Sequence, residues 1–145
     1  MPLTDKLLIL AIALQVLLTL GILVWMGFER VPRVARGEIA VKDIAVARDA
    51  YPLQARLLSN SFDNQFQLPV LFYVACFLAI GFSATLIEVL LAVAFVVTRY
   101  VHAAIHVTTN NVPHRFAAYT AGLVVLCLFW VDLLVRLLLV ATGVS

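Results

Sequence analysis

Two sets of polar side chains recur at helical spacing inside otherwise apolar sequence. Arg56, Asn60, Asn64 and Gln67 fall at i, i+4, i+8 and i+11, and Arg99, His102, His106 and Asn110 at i, i+3, i+7 and i+11. On a helix each set forms a single stripe. Arg115 follows shortly after, beyond Pro113. Amides, imidazoles and guanidinium groups together make a cationic, hydrogen-bonding lining. Such a lining suits a small anionic ligand, and the apolar sequence around it suits a hydrophobic second partner arriving from lipid.

Other chemistries use the same residues. His102 and His106 at i, i+4 could share a metal, with Asp63 or His114 as a third ligand. The positive charge of Arg99 and Arg115 opposes a divalent cation there, so the expectation is no metal, and haem ligation is weaker still. A proton path through Asp63, His102 and His106 finds nothing to continue it across the apolar middle of the membrane. The plain alternative is that both stripes only tie helices together through hydrogen bonds.

The elements that must position these residues are membrane spans. Of 145 residues 64% are apolar and 12% charged, far from the roughly 45–50% and 25% of a soluble domain. A chain this short has too little interior to hide that much apolar surface, and a bilayer removes the difficulty. The net charge of +2 comes from ten Lys/Arg scattered among eight acids, which gives no basic stripe for nucleic acid. Cys76 and Cys127 each sit in an apolar run and read as small buried hydrophobes, without a disulfide framework. The pattern predicts an all-α, integral membrane four-transmembrane-helix bundle in a single domain over 1–145, with helices at about 6–28, 52–81, 84–107 and 114–141.

Leu7–Phe28 makes about 33 Å of helix, enough to cross a hydrocarbon core of about 30 Å. The run is long for a signal peptide and ends in Glu29-Arg30 with no small-residue cleavage pattern, so it is expected to be retained. The polar segment Glu29–Tyr51 and the first turns of the second helix carry Arg30, Arg33, Arg36, Lys42, Arg48 and Arg56. Arg99 and Arg115 flank the link between the third and fourth helices. The opposite side has only Lys6 and Arg136, so both basic segments are expected in the cytoplasm and both termini outside.

Rise along the helices sorts the intramembrane polar residues into two layers. Glu88, Asp132 and Arg136 fall near the tight turn Gly81–Ala84 and read as a packing ion pair between helices. Asn64 and His102 each fall about 27 Å from that turn on antiparallel neighbours, so they face one another at one depth. Function is expected in this second layer.

The residues of that layer also resemble a known family, the MAPEG superfamily of membrane-associated proteins in eicosanoid and glutathione metabolism. The segment Asn64-Gln65-Phe66-Gln67-Leu68-Pro69 is similar to the family's second-helix signature, an Asn with an acid three residues on and a Pro shortly after. Arg99-Tyr100-Val101-His102-Ala103-Ala104-Ile105-His106 is similar to its Arg-x-x-His-x-x-x-Tyr, and Pro113-His114-Arg115, followed by Tyr119, falls at the family's offset for an Arg opening the fourth helix. The chain departs from the pattern at Gln67 (an acid in the family), Asn60 (an Arg, with Arg56 one turn further back), His106 (a Tyr) and Phe116 (a hydroxyl residue in some members).

The resemblance implies a bacterial-type member, in the inner membrane, that assembles as a homotrimer with its pocket between subunits. It implies glutathione as co-substrate and a small hydrophobic electrophile as the other substrate, in a transferase or peroxidase reaction. Asn64 would bind glutathione by its amide, with Arg56, Asn60, Gln67 and His106 in the same lining. Arg99 and His102 would hold its carboxylates, and Arg115 would be the catalytic residue that stabilises the thiolate, facing a neighbouring subunit's copy of Asn64. The departures leave an alternative on the same scaffold: a non-catalytic subunit that binds lipid or stabilises a complex.

Overall fold

The structure is a computed structural model and describes residues 1–143. Its helices are α1 (Leu3–Ala35), a 3-10 turn (Val41–Ile44), α2 (Leu53–Asn64), α3 (Leu68–Gly81), α4 (Leu86–Val107) and α5 (Val112–Ala141). No strand forms among the described residues. Four stretches are long and apolar enough to span a membrane: α1, α2 with α3, α4, and α5. The fold is therefore the all-α four-span bundle.

α1 reaches seven residues past the expected end at 28, through the amphipathic turns Glu29–Ala35. Its length of about 50 Å exceeds the hydrocarbon core, so these last turns project beyond it. Ion pairing holds them helical, with Arg33 Nη2 3.3 Å from Glu29 Oε2 across one turn. The helix stops at Gly37, whose φ of 72° lets its own amide reach Val34 O (3.0 Å) and the Glu38 amide reach Arg33 O (2.9 Å). That is a Schellman cap, and the left-handed position favours glycine.

The single helix expected over 52–81 is two helices meeting at Gln65–Gln67. Pro69 causes the break: it has no N–H to bond the Gln65 carbonyl, and its ring disfavours helical backbone just before it. The chain instead closes two tighter turns, Gln65 N to Phe62 O (2.9 Å) and Phe66 N to Asp63 O (3.1 Å), and restarts with Pro69 in the first turn of α3. Buried Gln15 of α1 donates through Nε2 to Gln65 Oε1 at 2.9 Å, while Gln65 Nε2 bonds the Ser61 carbonyl at 3.1 Å. An amide pair thus holds the break inside the membrane.

The turn between α3 and α4 is held from three sides. Thr85 and Glu88 form a capping box, with Glu88 Oε2 2.6 Å from Thr85 N. Asp5 of α1 accepts from Ala84 N at 3.0 Å. Arg136 of α5 bonds Glu88 Oε2 (3.0 Å), Ser83 O (3.2 Å) and Phe82 O (3.0 Å). The packing ion pair is present between Glu88 and Arg136. Asp132 makes no hydrogen bond or ion pair among the described residues, so it does not share in it.

Next to this turn lies the larger apolar core, where Phe72 of α3 stacks on Phe95 of α4 with centroids 4.7 Å apart and Phe129 of α5 is fully buried. α4 and α5 approach closely at Gly122. A Cβ there would lie 2.8 Å from Thr98 Oγ1, so a larger residue requires Thr98 or the helices to shift. Toward the long loop the core thins to a small cluster around Ile22, Leu58 and Ala103. The room left there is the site.

Candidate ligand-binding site

A cavity of about 440 Å³ opens between the end of α2, the last turns of α4 and the start of α5. α2 and the break after it contribute Asn60, Asn64 and Gln67. α4 contributes His102 and His106, whose rings meet edge to face with centroids 5.7 Å apart. α5 contributes Arg115 and an apolar side of Val112, Phe116 and Tyr119. Part of each stripe, Asn60, Asn64 and Gln67 on one side and His102 and His106 on the other, therefore lines one space with Arg115 at its edge, while Arg99 and Asn110 lie outside the lining.

Arg99 lies beneath this lining and is fully buried. Its Nη2 donates to the Asn64 carbonyl oxygen at 3.4 Å, and its guanidinium carbon sits 5.7 Å from the centroid of the Tyr119 ring. Among the described residues Nε and Nη1 have no hydrogen-bond partner, nor have Nδ1 of His102 and Nδ1 of His106. Burying a guanidinium with two idle donor groups is costly in a membrane. An anion bound against Arg99 and the imidazoles would satisfy those donors, which gives the site its chemical preference.

The mouth is built by local caps. Asn110 takes a left-handed φ of 47°, which Asn tolerates, and its amide bonds Ile105 O at 2.7 Å to close α4. Its Oδ1 accepts from Arg115 Nη1 at 2.6 Å, so the α4–α5 link aims the arginine. Asn111 caps α5 by accepting from His114 N at 3.1 Å. On α2, Asn64 Nδ2 donates one hydrogen to Asn60 O at 2.8 Å, which leaves its second N–H and its Oδ1 for a ligand.

Arg56 is not in this cavity. It borders a separate polar depression with Arg48 and Asp49, 3.9 Å from Asp49 Oδ1. The stripe expected from Arg56 to Gln67 divides because α2 turns with 3.6 residues per turn, which rotates Arg56 away, and the backbone break re-aims Gln67. Asp63 is held by Arg48 at 2.6 Å, a bond that raises the Arg48 pKa above its ordinary value, so it does not join His102 and His106. Among the described residues no group of three His, Cys, Asp or Glu side chains converges.

The residues missed at the sequence level are Gln15 and Gln65, which support the site from behind. Gln15 is the only amide in Leu7–Phe28, and an amide in a span needs a partner. That signal was sufficient to expect one.

Comparison with known proteins gives the family. No curated protein and no solved structure matches the chain significantly. The model of the MAPEG family matches residues 8–135, which include α2, α3 and α4, most of α1 and α5, and every residue lining the cavity. The chain is an integral membrane protein that belongs to the MAPEG family.

Proposed function

We propose that the protein is a glutathione-dependent transferase or peroxidase acting on lipophilic electrophiles at the cytoplasmic face of a bacterial inner membrane. One observation carries the reading: Arg99 is buried beneath the cavity with Nε and Nη1 unpaired, and Arg115 stands at its edge. Two carboxylates of a tripeptide thiol match those donors, and Asn64 and Gln67 offer amides to its polar backbone. Where relatives place an acid, Gln67 offers its carbonyl oxygen to the ligand ammonium without neutralising it.

The co-substrate supplies a thiol, which with an ordinary pKa near 8.5 is mostly protonated at neutral pH. Arg115 favours its thiolate form by charge, since a cation nearby lowers a thiol pKa. Phe116, Val112 and Tyr119 form the side on which a lipid-dissolved electrophile would rest. As sulfur bonds to the electrophilic carbon, the leaving group departs with its electron pair. The protein contributes position and charge rather than a nucleophile of its own. Asn60, Gln67 and Phe116 are exposed on the single chain, which favours a homotrimer whose neighbour covers the cavity.

Gln67 and His106 favour a second reading, a non-catalytic subunit that binds lipid or stabilises a complex on the same scaffold. Calorimetric titration of glutathione into detergent-solubilised protein separates the two. Heat of binding that is lost in Arg115→Ala supports the first; absence of heat at millimolar glutathione leaves the second.

A further inference from the structure

α1 borders a second cavity, separate from the histidine site. It measures about 510 Å³ and lies between the last turns of α1, the 3-10 turn and Tyr51. Its walls are apolar: Leu23, Gly27, Val31 and Val34 from α1, Val41 and Ile44 from the turn. Arg30 is the one charged residue in the lining. Its guanidinium carbon lies 4.3 Å from the centroid of the buried Tyr51 ring. Its one hydrogen bond is to Met26 Sδ at 3.8 Å.

The neighbouring arginines are differently engaged. Arg33 and Arg36 pair with Glu29 and Glu38, and Arg48 with Asp63. Arg30 pairs with no carboxylate among the described residues. Arg30 also marks a boundary, since the apolar run of α1 ends at Phe28. Leu23 and Gly27 therefore lie at hydrocarbon depth and Val31 and Val34 beyond it, along about 16 Å of helix. An occupant must be apolar where it meets Leu23 and Gly27 at hydrocarbon depth and anionic at the depth of Arg30. A free anion would use Arg30 alone, a neutral lipid would leave it uncompensated, and a peptide would find few backbone partners.

We infer that this groove binds an anionic phospholipid, one acyl chain lying along α1 and the phosphodiester against Arg30. A guanidinium matches phosphate oxygens in a two-pronged contact, and the Tyr51 face holds it in place. Lys42 of the 3-10 turn adds an exposed cation nearby, opposed by Asp43 beside it. The groove stands apart from any transferase activity.

The test is native mass spectrometry of the full chain in detergent, supplied with phosphatidylglycerol or phosphatidylcholine of matched chains. A basic residue at a membrane surface favours an anionic lipid by roughly fivefold, which is the expected ratio of retained lipid. Arg30→Gln brings that ratio to about one. Gly27→Leu lowers retention of both lipids, because a Cβ at Gly27 meets nothing within 4 Å and the larger side chain extends into space the lipid would take. Equal retention by the native protein, or an unchanged ratio in Arg30→Gln, overturns the proposal. So does a change of oligomeric state in Gly27→Leu, which would make the groove a subunit contact, or displacement of lipid by millimolar inorganic phosphate.

Discussion

Gln15 and Gln65 share a 2.9 Å hydrogen bond between fully buried side chains of two different spans. The bond ties α1 to the one place where the second span loses its helical hydrogen bonds. Gln15→Leu leaves Gln65 Oε1 without its donor, and the expected cost is about 1 kcal/mol, at the low end for a buried group because such bonds are modest in membranes. Gln15→Leu with Gln65→Leu should cost less than the two single changes added together. Unfolding in mixed micelles measures the cycle; strict additivity would mean that the pair does not couple the spans.

The spans were legible because hydropathy alone dictates them, and so was the shared depth of Asn64 and His102, which follows from helical rise. The break in the second span was less so. Its apolar run reads as continuous from Leu68, and only Pro69 and the adjacent glutamines betray it. Arg56 was placed in the stripe by periodicity, but periodicity assumes a straight helix and an open facing surface, and Arg56 instead lies near Asp49. The pairing of Arg136 with Glu88 rather than Asp132 depends on helix rotation, which spacing within one helix does not determine.

Gly122 sets the distance between the two helices that carry His102 and Arg115. Since a Cβ would come within 2.8 Å of Thr98 Oγ1, Gly122→Ala requires Thr98 to move or α4 and α5 to part. The expected loss is about 1–3 kcal/mol, the range for overpacking. Thr98→Ala removes the obstructing hydroxyl, so adding it to Gly122→Ala should restore most of the stability. Thermal unfolding of the three variants checks this, and failure of the rescue would locate the constraint elsewhere.

Glu88 and Arg136 are unequal partners. The Glu88 side chain is 0% exposed and that of Arg136 21% exposed, and Arg136 also bonds two backbone carbonyls of the turn. Arg136→Met strands a buried carboxylate and should cost about 3 kcal/mol. Glu88→Gln keeps an acceptor for the Thr85 cap and leaves Arg136 its carbonyls, so it should cost clearly less. Equal losses in chemical unfolding would contradict the asymmetry.

Arg99 has the reverse balance. It makes one long bond of 3.4 Å to a backbone carbonyl and keeps Nε and Nη1 idle while fully buried. Among the described residues no carboxylate compensates its charge and only the Tyr119 ring, 5.7 Å away, faces it, so the ligand-free fold gains little from it. Even a buried ion pair can often be replaced by apolar side chains of similar volume at no cost or with a gain of about 1–4 kcal/mol, and a buried charge without a carboxylate has less to lose. Arg99→Met should therefore raise the unfolding temperature of the ligand-free protein and at the same time abolish binding of an anionic thiol. A residue kept for structure would show the opposite, a lowered unfolding temperature with binding lost only as the fold is lost. Thermal scans with and without millimolar glutathione distinguish the two: the native protein should gain stability from the ligand, and Arg99→Met should gain none.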